Sequence, residues 1–429
     1  MGMKAYPTYK DSGVPWLGEI PEHWGISQYR AYFQERNSPN KNLQESNLLS
    51  ISYGKIIQKD INKKEGLLPA SFESYNIIED GDIVLRLTDL QNDHKSLRTA
   101  LCTQKGIITS AYVTLQPINQ TVNSAYFQYQ LHIYDVRKAI YGAGGGVRQA
   151  LNYDAIVRLK SCVPSVKEQN AIVAYLDKKC AEIEELIRRR QSIIERLREL
   201  KQSIIAEAVT KGLNPDVPLK ESSSEWLGQV PKHWELDLLK KFCSPVKYKN
   251  SSLDSDTALQ FRYGEIIEKS NIDKTDAEYM KTIAEYTVIH PNNIIINGLN
   301  MNYDFVSQRV AISTLEGVIT SAYLALDINQ SILPKYLTYQ LKSFDTQKLF
   351  HGLGKGIRLT LTYKILSRIL ITVPPYEEQK EIVNYLDKKC AKIDELISRH
   401  EQTIEKLKKL KTATIAHVVT GKMDVRDAI

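Results

Sequence analysis

The stretch WLGEIPEHW at residues 16–24 returns as WLGQVPKHW at residues 226–234. Two of the four tryptophans lie in each copy, so shared composition does not explain the match. The offset of 210 residues recurs along the chain: SYGKII from Ser52 answers RYGEII from Arg262, and GAGGGVRQALNY from Gly142 answers GLGKGIRLTLTY from Gly352. YLDKKCAEIEELI from Tyr175 answers YLDKKCAKIDELI from Tyr385. ITSAY slips by one residue, from Ile108 to Ile319, and the register recovers at INQ, Ile118 and Ile328. A period this long excludes a stacked solenoid, whose units run about 20–50 residues. The chain is built from two copies of one unit.

Each copy has two parts with different patterns. In the first, short apolar runs such as NLLSISYG, DIVLRL and GIITSAYVTLQP are broken by Gly, Asn and Pro, the mark of strands between turns. NSAYFQYQLHIYDVRKAIYG reads as helix, so this part is mixed α+β. After Pro164 no Gly or Pro occurs until Gly212. Ser165 with Glu168 predicts a capping box, and Gly212 the stop. Leu176, Cys180, Ile183, Ile187, Ile194, Leu197, Ile204 and Ala208 recur at three- and four-residue steps, a stripe made to pack on another helix. Leu386, Cys390, Ile393, Ile397, Ile404, Leu407 and Ile415 repeat it. A lone helix of roughly 45 residues, about 65 Å long, leaves its stripe exposed; two from one chain bury each other's. The expected architecture is α+β: two pseudo-two-fold-related mixed α/β domains, 1–164 and 213–375, separated by two long antiparallel helices, 165–212 and 376–421, forming a coiled-coil spacer. Residues 422–429 are a tail.

Agreement between the copies is uneven. YLDKKCA matches throughout, whereas RLTDLQNDHKSLR (86–98) and NGLNMNYDFVSQR (297–309) share only Asp93/Asp304, Ser96/Ser307 and Arg98/Arg309. Both loops are rich in side chains that donate and accept at base edges. A constant scaffold with diverging polar loops points to two sites reading different targets; a solvated hairpin free to drift is the alternative. The Gly-rich stretches lack G-x-x-x-x-G-K-[ST], so they form no nucleotide loop, though their N–H groups beside an arginine suit a phosphate. A flexible turn before a helix is the other reading.

Net charge is +7, which tolerates a polyanion without demanding one. Five scattered cysteines give neither a disulfide framework nor metal spacing, and no apolar run approaches a membrane span. No H-E-x-x-H, paired C-x-x-C or G-x-S-x-G occurs. Pro215-Asp216 is followed by no nuclease-type acidic-x-Lys before Asp256. Pro374-Pro375-Tyr376 has Val373 where a methyltransferase loop needs an amide-orienting acceptor, and reads better as a helix start.

Over nearly its whole length the chain resembles the specificity subunit of type I restriction–modification enzymes. The motifs are K-D-S-G-V-x-W-L-G-x-I-P-x-H-W at Lys10–Trp24, x-P-x-x-x-E-Q at Val163–Gln169 and Val373–Gln379, and L-K-x-S-I-I-A-x-A-V-T-x-G at Leu200–Gly212. The second copy's lead-in, KESSSEWLG, departs from the first. The resemblance implies two target recognition domains, each reading half of a split double-stranded DNA site, with the helices setting the gap. It implies no catalysis and no cofactor in this chain. Two methyltransferase subunits carrying S-adenosylmethionine, and ATP- and Mg-dependent restriction subunits that translocate and cleave, are the implied partners, in the cytoplasm and away from membranes. A fused methyltransferase or nuclease, and a purely structural coiled-coil scaffold, are the competing classes.

On this reading Arg86 and Arg98 suit guanine, Gln91 and Asn92 suit adenine, and Asp89 and Lys95 lie beside them. Asn297, Asn300, Asn302, Tyr303, Gln308 and Arg309 serve the second half-site. Tyr53 with Lys55, and Arg262 with Tyr263, are expected to flank the same grooves. Arg148 and Arg358 are expected on phosphates, with Gln149 and Lys355 in the same Gly-rich stretches. Exposed Arg188, Arg189, Glu195 and Arg198, with mates Ser398, Arg399, Glu405 and Lys408, are candidates for docking the methyltransferases.

Overall fold

The computed structural model describes residues 4–61, 69, 71–88, 97–138, 151–262, 264–270, 273–301, 308–353 and 360–428. Two compact units emerge: Met1–Arg190 with Gln402–Ile429, and Gln191–Glu401.

In the first unit, β1 (Tyr9–Asp11) and β2 (Glu19–Pro21) form a hairpin. β3 (Gly25–Gln28) leads to β4 (Phe33–Glu35), an edge strand, and β5 (Leu49–Ser52) folds tightly onto β6 (Lys55–Gln58). β7 (Asn76–Ile78), β8 (Ile83–Leu85), β9 (Thr99–Leu101), β10 (Gly106–Ile108) and β11 (Val113–Pro117) follow. An antiparallel four-stranded sheet has the order β4-β11-β8-β9, with Leu115 opposite both Glu35 and Ile83. Ile83, Val84 and Leu85 are all buried, which is why that strand reads as an unbroken apolar run. Helix α1 (Ser124–Val136) starts where Asn123 Oδ1 accepts the Tyr126 N–H at 3.0 Å, and α2 (Tyr153–Val157) where Asn152 does the same for Ala155. β12 (Lys160–Val163) returns to pair with β3 and feeds α3 (Val166–Lys211), 46 residues long.

The second unit repeats this order. β13 (Leu219–Glu221) and β14 (Gln229–Pro231) form the hairpin, β15 (Glu235–Leu238) and β16 (Cys243–Pro245) follow, and β17 (Leu259–Arg262) turns onto β18 (Glu265–Glu268). After α4 (Ala277–Ala284) come β19 (Thr287–Ile289), β20 (Ile294–Ile296), β21 (Val310–Ile312), β22 (Gly317–Ile319) and β23 (Leu324–Ile328). The sheet order is β16-β23-β20-β21. Helices α5 (Pro334–Thr346), α6 (Leu349–Leu353) and α7 (Tyr363–Leu366) precede β24 (Leu370–Val373), which pairs with β15, and then α8 (Tyr376–Val419), 44 residues long.

Each unit's core takes the start of one long helix and the end of the other. In the first, Ile172, Leu176 and Cys180 of α3 join Ile415, Ala416, Val418 and Val419 of α8 around Trp24, Phe33 and Phe127. In the second, Ile382, Leu386 and Cys390 of α8 join Ile205, Ala208 and Val209 of α3 around Trp234, Tyr336 and Phe344. Within each unit the two segments run antiparallel: Glu184 meets Lys411 at 2.6 Å in the first, while Arg198 meets Glu401 and Lys201 meets Asp394 in the second. All five cysteines are free and buried, and burial raises every one of their thiol pKa values.

The twice-written nonapeptide locks the helix ends. Trp24 Nε1 and the Tyr6 hydroxyl donate to Glu168 Oε1 at 3.1 and 2.7 Å, and His23 Nε2 lies 3.0 Å from Oε2. His233 meets Glu378 likewise at 2.8 Å. Gly212, at φ 76°, ends α3, and a Cβ there would lie 3.1 Å from Trp234 Cζ2. That backbone favours glycine, and the space beside Trp234 is tight for any side chain. The expected capping box is half realised. The Glu168 N–H donates to Ser165 Oγ at 3.3 Å, but the carboxylate turns to the tryptophan and tyrosine, whose donors are buried. Gln169 and Gln379 each donate from Nε2 to the carbonyl of the proline before the helix, at 3.0 and 2.9 Å. The x-P-x-x-x-E-Q signature is therefore a structural clasp.

Candidate nucleic-acid interface

In each unit three segments singled out by sequence meet at one edge of the sheet. In the first, the Arg86 N–H donates to Arg98 O at 2.8 Å, closing the base of the loop between β8 and β9. The tip of the β5–β6 hairpin abuts that base: a Cβ on Gly54 would lie 3.1 Å from Leu97 Cβ. The end of the Gly-rich stretch docks there too, its Leu151 N–H donating to Leu87 O at 3.3 Å. In the second unit, Asn297 N–H donates to Arg309 O at 2.9 Å and Leu361 N–H to Gly298 O at 2.9 Å.

Two expected base-reading residues are instead internal struts. Arg98 is 0% exposed; its Nη1 donates to the carbonyls of Arg86 and Thr88 at 3.2 and 2.7 Å. Arg309, 1% exposed, donates from Nη1 to Asn297 O and Leu299 O at 3.1 and 2.7 Å. Their backbone N–H groups donate to buried Asp135 and Asp345 at 2.7 and 2.8 Å. Burial pushes both carboxyl pKa values up, and the arginine N–H groups counter it. A guanidinium saturating loop carbonyls inside the protein is not presented to a base edge. The assignment of Arg98 to guanine, and of Arg309 to contact with the second half-site, is corrected: they hold each loop's base.

The other described candidates lie at the surface. Tyr53, Lys55, Arg262, Asn300 and Gln308 are exposed, and Arg86 and Asn297 partly so. Lys55 Nζ is 2.7 Å from Glu184, which also takes Lys411. Burial opposes the Glu184 carboxylate, but hydrogen bonds from the two lysines overcome it and hold its pKa below the ordinary value. Asp89, Gln91, Asn92, Lys95, Arg148, Gln149, Tyr263, Asn302, Tyr303, Lys355 and Arg358 lie outside the described residues. The docking candidates on the long helices are exposed and paired along their own helix: Arg188 and Arg189 with Glu185, Arg198 with Glu195, Arg399 with Glu395, Lys408 with Glu405.

Among the described residues no group of three or more His, Cys, Asp or Glu is placed to hold a metal, and no helix is long and apolar enough to cross a membrane.

The chain is similar to specificity subunits of type I restriction enzymes. A Methanocaldococcus jannaschii protein named for the MjaX type I restriction enzyme specificity subunit is 22% identical over 435 residues, covering 96% of each chain. The MjaVIII specificity subunit of the same organism is 23% identical over 76% of each chain. The fold matches a solved chain from a study of complex assembly and conformational transition in the type I R-M system, with a TM-score of 0.64 and 17% identity. That match covers 93% of this chain and 98% of the other. No protein-family model matches.

Proposed function

We propose that the chain is the DNA sequence-recognition subunit of a type I restriction–modification complex, each unit reading one half of a split target. The observation that carries this is the convergence, in each unit, of the hairpin tip, the diverging polar loop and the end of the Gly-rich stretch on one frame. Gly54, Arg98 and Leu151 of the frame recur as Gly264, Arg309 and Leu361 while the loops differ, as two readers of different half-sites require. The similarity to specificity subunits along the whole chain supports the same role.

On this proposal the chain catalyses nothing itself. It recruits two methyltransferase subunits through the exposed helix faces, where two like surfaces suit two copies of one partner. Restriction subunits join in the cytoplasm; S-adenosylmethionine, ATP and Mg belong to the partners. The half-sites are expected about one helical turn apart, ~10 bp centre to centre. Methylome sequencing of cells expressing the chain with its methyltransferase tests this. A bipartite target, lost without the chain, is the expected result; methylation that persists unchanged without it refutes the proposal.

A further inference from the structure

Tyr53 is the most exposed large apolar residue described, at 89%. Ser52 pairs with Lys55 across the β5–β6 hairpin, so Tyr53 and Gly54 alone make the turn. Their φ values are 48° and 74°, the doubly positive pattern of a type I′ turn. Glycine at the second position is ordinary. At the first the turn favours Asn or Asp, and a bulky aromatic there is a conformational outlier. Among the described residues Tyr53 makes no hydrogen bond or ring contact in return. Nothing among the described residues offsets this tyrosine, which strains the turn and exposes its ring.

The residue recurs all the same. The second copy reads Arg262-Tyr263-Gly264-Glu265 where the first reads Ser52-Tyr53-Gly54-Lys55. The flanks change from neutral to basic and from basic to acidic, while Tyr-Gly stays. Whatever the tyrosine meets is therefore common to two sites whose loops differ. Its place is fixed by Leu97 packing against Gly54, beside the loop assigned to base reading. A ring wedged between base steps of a duplex costs a few kcal/mol of unstacking, brings more DNA against the protein, and reads no base edge.

We infer that Tyr53 stacks on a base of the first half-site, a wedge that adds affinity without reading sequence. Tyr263 does the same for the second by its position in the sequence. The inference rests on the DNA-recognition proposal above.

The test uses the full-length chain assembled with its methyltransferase subunits, on duplexes carrying the methylome-defined target and single-base variants of it. Tyr53→Asn supplies the residue the turn prefers, so the melting temperature holds or rises. Affinity falls at least ~5-fold, net of the unstacking that the wedge imposes on the duplex. The loss is equal for target and variants, and the salt slope is unchanged because no phosphate contact goes. Tyr53→Phe keeps wild-type affinity. Unchanged binding by Tyr53→Asn overturns the inference, as does a lowered melting temperature, which makes the ring structural. A loss confined to one base position also overturns it, since the residue then reads sequence. If the wild-type assembly shows no preference for target over scrambled duplex, the recognition proposal itself falls.

Discussion

Replacing Glu168 should destabilise the first unit far more than replacing its repeat mate Glu378 destabilises the second. Glu168 is 5% exposed and accepts from two donors cut off from water, Tyr6 at 3% and Trp24 at 0% exposed. Removing the carboxylate orphans both, at about 1–3 kcal/mol each. The half-exposed His23 contact adds about 0–1 kcal/mol. Glu168→Ala should therefore cost roughly 2–7 kcal/mol, which at about 2–4 °C per kcal/mol for a unit of this size lowers its melting temperature by at least ~4 °C. Among the described residues Glu378 pairs with the half-exposed His233 alone, and the buried Trp234 Nε1 has no acceptor. Glu378→Ala should thus cost below about 1 kcal/mol from lost pairing. Glu168→Gln, whose amide retains one acceptor oxygen, should fall between. Scanning calorimetry of the full chain measures the shifts, and hydrogen exchange at residues 20–28 assigns the transition to the first unit. Equal losses from the two alanine variants, or a Glu168→Ala shift within 1 °C of zero, would refute the reasoning.

Three further outcomes are expected. His132 on α1 is held at about 4, first by burial and then by the Lys411 charge, in a setting where Glu184 pairs with that lysine. Below its ordinary 6.5 the unfolded chain takes up a proton that the folded chain refuses. Stability is full above pH 6.5 and falls by up to about 3 kcal/mol on the way to pH 4; urea melts of His132→Gln should lack that part of the decline. Arg98→Ala leaves the part-buried carbonyls of Arg86 and Thr88 without their donor, a cost of at most about 1–3 kcal/mol each. It should abolish methylation at the first half-site as a whole rather than relax one base, and Arg98→Lys, lacking the fork, should not rescue it. Leu386→Ala, in the second core, should cost about 2–5 kcal/mol by chemical denaturation.

The long helices were legible because their signals are local and redundant: tens of residues without Gly or Pro, a regular apolar stripe and a glycine stop. The strands were legible as apolar runs. What sequence did not disclose were partnerships across long separations. Glu168 carries the spacing of a capping box, yet its partners lie 144 and 162 residues upstream. Nothing local marks an acceptor for a buried indole. The available signal was the joint recurrence of H-W and E-Q in both copies. Arg98 and Arg309 misled for a related reason, since an arginine in a polar loop looks alike whether it points out or in. Here too the repeat held the clue: Arg98 and Arg309 are shared between loops that otherwise diverge, and both are frame. Helix α4 passed unread; it is eight residues long, started by an Asp276 cap to the Glu278 N–H.

The central claim is that each unit reads its own half-site through its diverging loop. Replacing residues 86–98 with residues 297–309 tests it most directly, because Arg98 and Arg309 keep the loop base in place on both sides of the graft. Methylome sequencing of cells carrying the grafted chain should show the first half-site changed or lost and the second untouched. Methylation of the original first half-site at the normal rate would show that the loop is only a solvated turn, and would contradict the account.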